Sequence, residues 1–393
     1  MLSIQKSYLA IAGFLILALG ACKNTRSERE KNSELARQKT EETSLTSKKW
    51  AITGFERPQG VNPVLAPKEE STFRSEMNNK VVAWESNDVF NPAATVMSDS
   101  IYVLYRAEDK SGKGIGERTS RIGLASSANG FDMNRLSKPV LYPTNDDQKE
   151  YEWPGGCEDP RVAVTEDGTY VMLYTQWNKD VPRLAVATSR NLKDWVKHGP
   201  AFKEAYDGKY LETFSKSASV VTELKGDRLV ITKVNDEYLM YWGEKNFHAA
   251  TSTDLMNWKP MEDENEELMT LMSPRKGYFD SQLTECGPPA VLTDDGIVVM
   301  YNGKNLQGPD GDENFTANTY SAGQALFNKN NPTELIDRLD EPFLVPTASF
   351  EKSGQYPAGT VFIEGLVYFK DKWFLYYGGA DSRVGVVVSN QKL

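Results

Sequence analysis

Tyr170-Val171-Met172-Leu173-Tyr174 is a short apolar run ending in tyrosine, and it recurs along the chain. The other copies are Tyr102-Val103-Leu104-Tyr105, Tyr238-Leu239-Met240-Tyr241, Ile297-Val298-Val299-Met300-Tyr301 and Trp373-Phe374-Leu375-Tyr376-Tyr377. Their last tyrosines lie 69, 67, 60 and 76 residues apart. Each copy is followed by a second segment carrying small residues: Gly123–Ser127, Ala185–Ser189, His248–Ser252, Gly323–Phe327 and Gly385–Ser389. Two of these run into similar turns, Asn191-Leu192-Lys193-Asp194-Trp195 and Asp254-Leu255-Met256-Asn257-Trp258, and the first copy has Asn129-Gly130-Phe131 at that place. Short β-branched and aromatic runs between Gly, Asp and Asn turns read as strands. A period of this length is long for a solenoid coil and suits a sheet with long loops. The chain is therefore expected to be all-β, a five-bladed β-propeller, with a β-sandwich as the competing architecture. A strand around Trp50-Ala51-Ile52 is expected to close the ring by joining the last blade, which removes a sheet edge.

Outside that body, residues 1–22 read as an export signal. Lys6 gives the positive start, Tyr8–Leu19 are apolar but too few to span a bilayer, and Leu19-Gly20-Ala21-Cys22 resembles a lipoprotein cleavage box. The mature chain is then expected to begin at lipid-modified Cys22 and to be anchored to a membrane. This places it in a bacterial cell envelope, periplasmic or outer-membrane associated. Residues 23–47 are mostly charged and hydroxylated, with Leu35 and Leu45 the only large apolar side chains, and read as a flexible tether. The folded body is expected over 48–393.

Charge narrows the function. The chain has a net charge of −10, while residues 1–47 hold seven Lys/Arg against five Glu, so the body carries −12. An acidic body repels a phosphate backbone, and nucleic acid is excluded as a partner. Aromatics make up 11% of the chain, enough to fill a core and leave some rings for stacking on sugars. After Cys22 only Cys157 and Cys286 remain, too few for a disulfide framework, and both are expected as buried free thiols. The two histidines, His198 and His248, have no metal-ligand pattern around them. No metal and no cofactor are expected, and protein partners are left open.

In a propeller the loops at one end of the axis converge, so polar residues far apart in sequence can share a site. The central candidate is Gly155-Gly156-Cys157-Glu158-Asp159-Pro160-Arg161, where glycines permit close approach and a proline fixes direction just past an acid. Others at matching positions are Asn91 before the first tyrosine run, Arg106 and Arg121 after it, Lys216 and Glu244 in the third unit, and Asp280, Glu285, Tyr301 and Asn302 in the fourth. The fifth unit offers Asp381. Singly, each motif is an ordinary turn or a solvated face; their recurrence at equivalent positions marks a site.

Asn91-Pro92-Ala93, Gly155–Arg161, Thr284-Glu285-Cys286-Gly287-Pro288-Pro289 and Tyr377-Gly378-Gly379-Ala380-Asp381 together resemble glycoside hydrolase family 130, through about 80–390. The resemblance implies a five-bladed propeller acting on β-mannosides, either with inorganic phosphate or with water. It also implies that Asp159 is the proton donor, passing its proton through a sugar hydroxyl. Glu244 and Glu285 are then similar to the glutamate pair of the family's β-1,2-mannosidases and activate water. Asn91, Arg106, Arg121, Glu158, Arg161, Lys216, Tyr301, Asn302 and Asp381 are expected to bind substrate. A phosphorylase must hold a dianion with Arg, Lys or His. In the family's phosphorylases the strand similar to Tyr238–Tyr241 runs into a His-Arg pair; here it runs into Trp242-Gly243-Glu244. A carboxylate there repels phosphate, so the expectation is an inverting, exo-acting β-mannosidase whose partner is a β-mannoside oligosaccharide. The alternatives are a β-mannoside phosphorylase, a five-bladed furanosidase suggested by Trp84-Glu85-Ser86-Asn87-Asp88, and a non-catalytic glycan-binding lipoprotein.

Overall fold

The tyrosine-ended runs are the second strands of antiparallel meanders in a computed structural model, which describes residues 48–392. The export signal, Cys22 and the tether lie outside the described residues. Among the described residues five meanders follow one another, and helix is confined to single turns such as Lys149–Glu152. No helix there is long and apolar enough to cross a membrane. The leading three strands of the first meander are Asp88–Met97, Ser100–Glu108 and Ser120–Ser127; of the second, Gly156–Val164, Tyr170–Trp177 and Pro182–Ser189. The third has Ala218–Lys225, Glu237–Trp242 and His248–Ser252. In the fourth a split first strand, Leu283–Cys286 and Ala290–Leu292, precedes Ile297–Lys304 and Tyr320–Phe327. The fifth has Val361–Phe369, Lys372–Gly379 and Arg383–Ser389.

The repeat has a packing cause. The last tyrosine of each run lies directly across from a small residue of the next strand: Tyr105 from Gly123, Tyr174 from Ala185, Tyr241 from Ala249, Tyr301 from Gly323 and Tyr377 from Gly385. A Cβ on Gly323 would sit 2.3 Å from the Tyr301 ring, so the ring occupies the space a side chain would need. In four meanders the hydroxyl then reaches a buried carboxylate that also holds a cation. Tyr105 donates to Glu85 beside Arg135, and Tyr174 to Glu152 beside Lys197. Tyr301 donates to Asp280, which also binds Arg275 and Arg338; Tyr377 donates to Glu351 beside Arg57. Tyr241 instead donates to the Pro332 carbonyl.

Apolar clusters fill the interfaces between neighbours. Leu104 and Leu124 meet Val162 and Met172 between the first and second meanders; Leu173 and Val186 meet Met240 and Trp242 between the second and third. Tyr241 meets Val299 and Phe327, and Met300 meets Leu375 and Tyr377. A fifth cluster joins Val103 and Tyr105 to Phe374 and Val386, so the last meander packs on the first and the arrangement is propeller-like. Burial of this apolar surface is the main stabilising term. The N-terminal segment joins the last strand, but further along than Trp50–Ile52: Glu56 bridges Val388 and Leu65 bridges Val384. Ile52 instead exchanges hydrogen bonds with the Gln324 side chain, tying the entry of the chain to the fourth meander.

Candidate functional site

Bulges on the first strands build the site. Proline has no N–H for the ladder, and the register shifts beside each proline: Asn91 is left out between Phe90 and Pro92, and Asp159 with Pro160 between Glu158 and Arg161. Asn91 and Asp159 take left-handed backbone there (φ 46° and 48°), which short polar side chains tolerate. Ser217 does the same at φ 57° just before Ala218, and a third register shift spans Ile363–Gly365 around Glu364.

Asp159, only 3% exposed, accepts hydrogen bonds from Asn91 Nδ2 (2.8 Å) and Arg106 Nη1 (3.0 Å). Arg106 also holds Glu158 (2.8 Å) and Glu108 (2.7 Å), its Nε donates to Ser120 Oγ, and its guanidinium lies over the Phe90 ring. Lys216 Nζ stands 4.0 Å from Asp159 and 3.9 Å from Glu244, and Ser217 donates to Glu285. Side-chain exposure rises from Asp159 through Lys216 (19%) to Glu244 (30%), so the group opens to solvent on the Glu244 side.

The electrostatics separate these acids. Burial pushes Asp159 up, but Arg106, Lys216, Arg161 and the Asn91 hydrogen bond together hold it well below the usual carboxylate range. Burial pushes Glu158 up to about 7, against Arg106 and helped by the Asp159 charge. Glu285 is likewise raised by burial to about 7, with Lys216 opposing and Glu244 adding. Asp381 also reaches about 7, through burial and the charges of Asp159 and Glu108 against the pull of Arg106. Burial opposes the charge of Lys216, yet Glu244, Glu285 and Asp159 keep it firmly protonated. The site thus combines one fixed carboxylate, several acids that exchange protons near neutral pH, and cations already engaged by them.

Five of the expected substrate contacts sit in or against this group: Asn91, Arg106, Glu158, Lys216 and Asp381. Four others do structural work. Arg121 is 3% exposed and ion-paired to Asp109 at 2.8 Å, with the Thr119 carbonyl as second acceptor. Arg161 is buried as a strut, donating to the carbonyls of Asp159 and Cys286 and facing Glu364 at 3.0 Å. Tyr301 serves the Asp280 latch, and Asn302 exchanges two hydrogen bonds with the Ile363 backbone, joining the fourth meander to the fifth. Cys157 and Cys286 are free and buried, in different apolar clusters.

Several members have no motif of their own. Glu108, two residues on along the same strand, and Ser120, on the paired strand, both meet Arg106, and Ser217 is marked only by adjoining Lys216. Glu364 is fully buried, with Arg161 as ion partner but neither oxygen in a hydrogen bond. Tyr320 has its hydroxyl pKa raised by burial and then by Glu285, and its ring packs edge-on against Tyr356 and Phe362. The alternation Ala322–Ala325 after it gives no sign of that role.

The sequence profile of glycoside hydrolase family 130, described as β-1,4-mannooligosaccharide phosphorylase, matches residues 56–393. A 1,2-β-oligomannan phosphorylase of Thermoanaerobacter sp. (strain X514) is 32% identical over 338 residues, covering 84% of this chain and 95% of the relative. Among solved structures, a glycosyl hydrolase from Bacteroides ovatus is 63% identical with a TM-score of 0.85, covering 86% of this chain and 94% of that one. Another is 61% identical with a TM-score of 0.86, covering 88% and 96%. It is described with glycoside hydrolases of the mannoside phosphorylase family that target β-1,2 mannosidic linkages in Candida mannan.

Proposed function

Because the chain belongs to glycoside hydrolase family 130, we propose that it is an inverting, exo-acting β-mannoside hydrolase that favours β-1,2 linkages and transfers the sugar to water. The five meanders are, on this reading, the blades of a five-bladed propeller whose axis carries the site. The observation that carries the choice of water is the state of the cations. Lys216 is shared between Asp159 and Glu244, Arg106 is divided among Glu108, Glu158 and Asp159, and Arg161 is buried on backbone carbonyls. A phosphate dianion needs uncommitted positive charge and would meet Glu244 at the open side. Relatives acting on β-1,2 linkages stand on both sides of the hydrolase and phosphorylase division. The phosphorylase reading rests on the family description and on phosphorylase relatives 32% and 29% identical to this chain.

The reaction divides among three groups. Glu158 and Asp159 share Arg106 and together hold one proton near neutral pH. Asp159, ionised in the free site and facing Asn91 and Lys216, takes that proton from Glu158 once substrate is bound and passes it through a sugar hydroxyl to the leaving oxygen as the glycosidic C–O bond breaks. On the other side of Lys216, Glu244 or Glu285 takes a proton from the water that attacks the anomeric carbon. Sharing one Nζ caps the separation of the Asp159 and Glu244 oxygens at about 8 Å, compatible with the roughly 6.5–9.5 Å that inverting enzymes use. Proton NMR of β-1,2-mannobiose during turnover tests this. The α-anomer of mannose is expected first; initial release of the β-anomer overturns inversion.

We also propose the domain division at residues 22 and 47 and the lipid anchor on Cys22, on the strength of the N-terminal sequence pattern. Metabolic labelling with a palmitate analogue is expected to mark the full-length protein and to spare Cys22→Ser; equal labelling of both would refute the anchor.

A further inference from the structure

Glu364 is held at the axis without being satisfied there. It is fully buried, its one ion pair among the described residues is with Arg161 Nη2 at 3.0 Å, and neither oxygen is in a hydrogen bond. So poorly matched a pair does not offset the cost of taking a carboxyl out of water, and stability is no reason for an acid at this place.

Its neighbours fix where it stands. The register shift between Ile363 and Gly365 leaves Glu364 out of the ladder. On one side Ile363 exchanges hydrogen bonds with the Asn302 side chain (2.7 Å and 3.1 Å), and Asn302 lies directly across from Glu285. On the other, Gly365 lies so close to the first meander that a Cβ would come within 2.6 Å of the Pro92 carbonyl oxygen. Pro92 follows Asn91, the hydrogen-bond partner of Asp159. Glu364 is thus wedged between the hairpin that carries Glu285 and the bulge that supports Asp159, within electrostatic reach of both acids.

Arg161 joins the same two places. Its Nη1 donates to the Asp159 carbonyl (3.0 Å) and its Nη2 to the Cys286 carbonyl (2.9 Å), while Nε reaches the Gly287 carbonyl at 3.4 Å. One rigid guanidinium plane therefore ties the backbone of Asp159 to the backbone immediately after Glu285. Any rotation of that plane moves the two acids relative to each other. Carbonyl dipoles leave its charge without a counter-ion, and Glu364 is the acid that stands against it.

We propose that Glu364 is a positioning residue of the reaction: through Arg161 it sets the separation of Asp159 from Glu285, across which sugar and water are held. The inference rests on the mannosidase reading, in which Asp159 serves the leaving oxygen and the Glu244 and Glu285 side serves the water. Misplacing a reacting group by about 1 Å costs about 10²-fold in rate, so a buried acid that adds nothing to stability is retained for turnover.

Initial rates on β-1,2-mannobiose, measured beside urea unfolding for Glu364→Met, Glu364→Asp and Glu364→Gln, test this role. Met has nearly the length of Glu but offers Arg161 no oxygen. It is expected to lower kcat about 10–100-fold with KM changed less than about twofold, while the unfolding midpoint holds or rises. Asp is one methylene short of Arg161 and is expected to lose kcat likewise. Gln keeps an oxygen against Arg161 Nη2 and is expected to hold kcat within about threefold of wild type. A purely structural role gives the reverse pattern, with stability lost in the Met variant and kcat per folded molecule kept. Wild-type kcat in a folded Met or Asp variant, or a Gln variant that falls as far as Asp, overturns the positioning role and leaves the mannosidase standing. If the Met variant does not fold, Asp against Gln decides; unfolding of both Met and Asp variants assigns Glu364 to the fold and overturns the role as well. A wild type that does not turn over β-1,2-mannobiose overturns both readings.

Discussion

The tyrosine latches and the axial acid group are made of the same parts, buried carboxylates beside Arg or Lys, and they use them in opposite ways. In the latches each acid holds its tyrosine and at least one cation, and only Glu85 Oε1 is left without a hydrogen bond. Asp280 receives Tyr301, Arg275 and Arg338, and Glu351 receives Tyr377, two nitrogens of Arg57 and two backbone N–H groups. On the axis the acids outnumber the cations. Glu158, Glu285 and Asp381 are each pushed to about 7, and Glu364 has no hydrogen bond at all. A matched buried acid fixes one strand against another; an unmatched one costs stability and gains a proton that moves near neutral pH.

Breaking the axial group should therefore stop turnover without unfolding the protein. Asp159→Asn and Glu244→Gln are expected to lower kcat/KM by about 10²–10⁴-fold, with the circular dichroism spectrum unchanged. Loss of fewer than about ten-fold in both would put the chemistry elsewhere. Breaking a latch should do the reverse. Asp280→Asn leaves Arg275 and Arg338 without their shared counter-ion and is expected to cost about 3–5 kcal/mol in urea unfolding, with activity per folded molecule retained.

The folded value of Glu285 lies above its ordinary one, about 7 against 4.5, so the folded state holds the proton longer than the unfolded state does. That contribution is fully favourable below pH 4.5 and is lost as pH rises through 7. Glu285→Gln is expected to stabilise the protein at pH 8 by on the order of 1–3 kcal/mol relative to wild type, with no gain at pH 4. A gain that is the same at both pH values would contradict the assignment. The smallest effect is on the rate profile. A base near 7 must be ionised and a proton-holding pair near 7 must be protonated, so kcat/KM is expected to follow a bell centred near pH 7. A profile flat from pH 5 to 9 would exclude that pairing.

The five repeats were legible because the tyrosine and its small cross-strand partner are a local pair that leaves a mark at every turn of the chain. The grouping of Asp159, Lys216, Glu244 and Glu285 was legible because Glu244 follows a strand end, Asp159 and Glu285 stand just before prolines, and Lys216 stands just before a first strand. What failed was direction. Tyr301 and Asn302 read as a strand end but lie within Ile297–Lys304, where alternation sends one to a latch and the other to the Ile363 backbone. Arg121 lies across from Ala107 in the hairpin, which brings it to Asp109 rather than to the axis. Glu364 depends on where a strand bulges, and a bulge is fixed by neighbouring strands, not by the residue that it displaces.

The claim that joins these observations is that water, not phosphate, receives the sugar. Release of mannose from β-1,2-mannobiose, followed with and without inorganic phosphate and with both possible products separated, tests it most directly. The same rate of free mannose under both conditions, with no mannose 1-phosphate, is the predicted result. Product that forms only with phosphate, as mannose 1-phosphate, would contradict it.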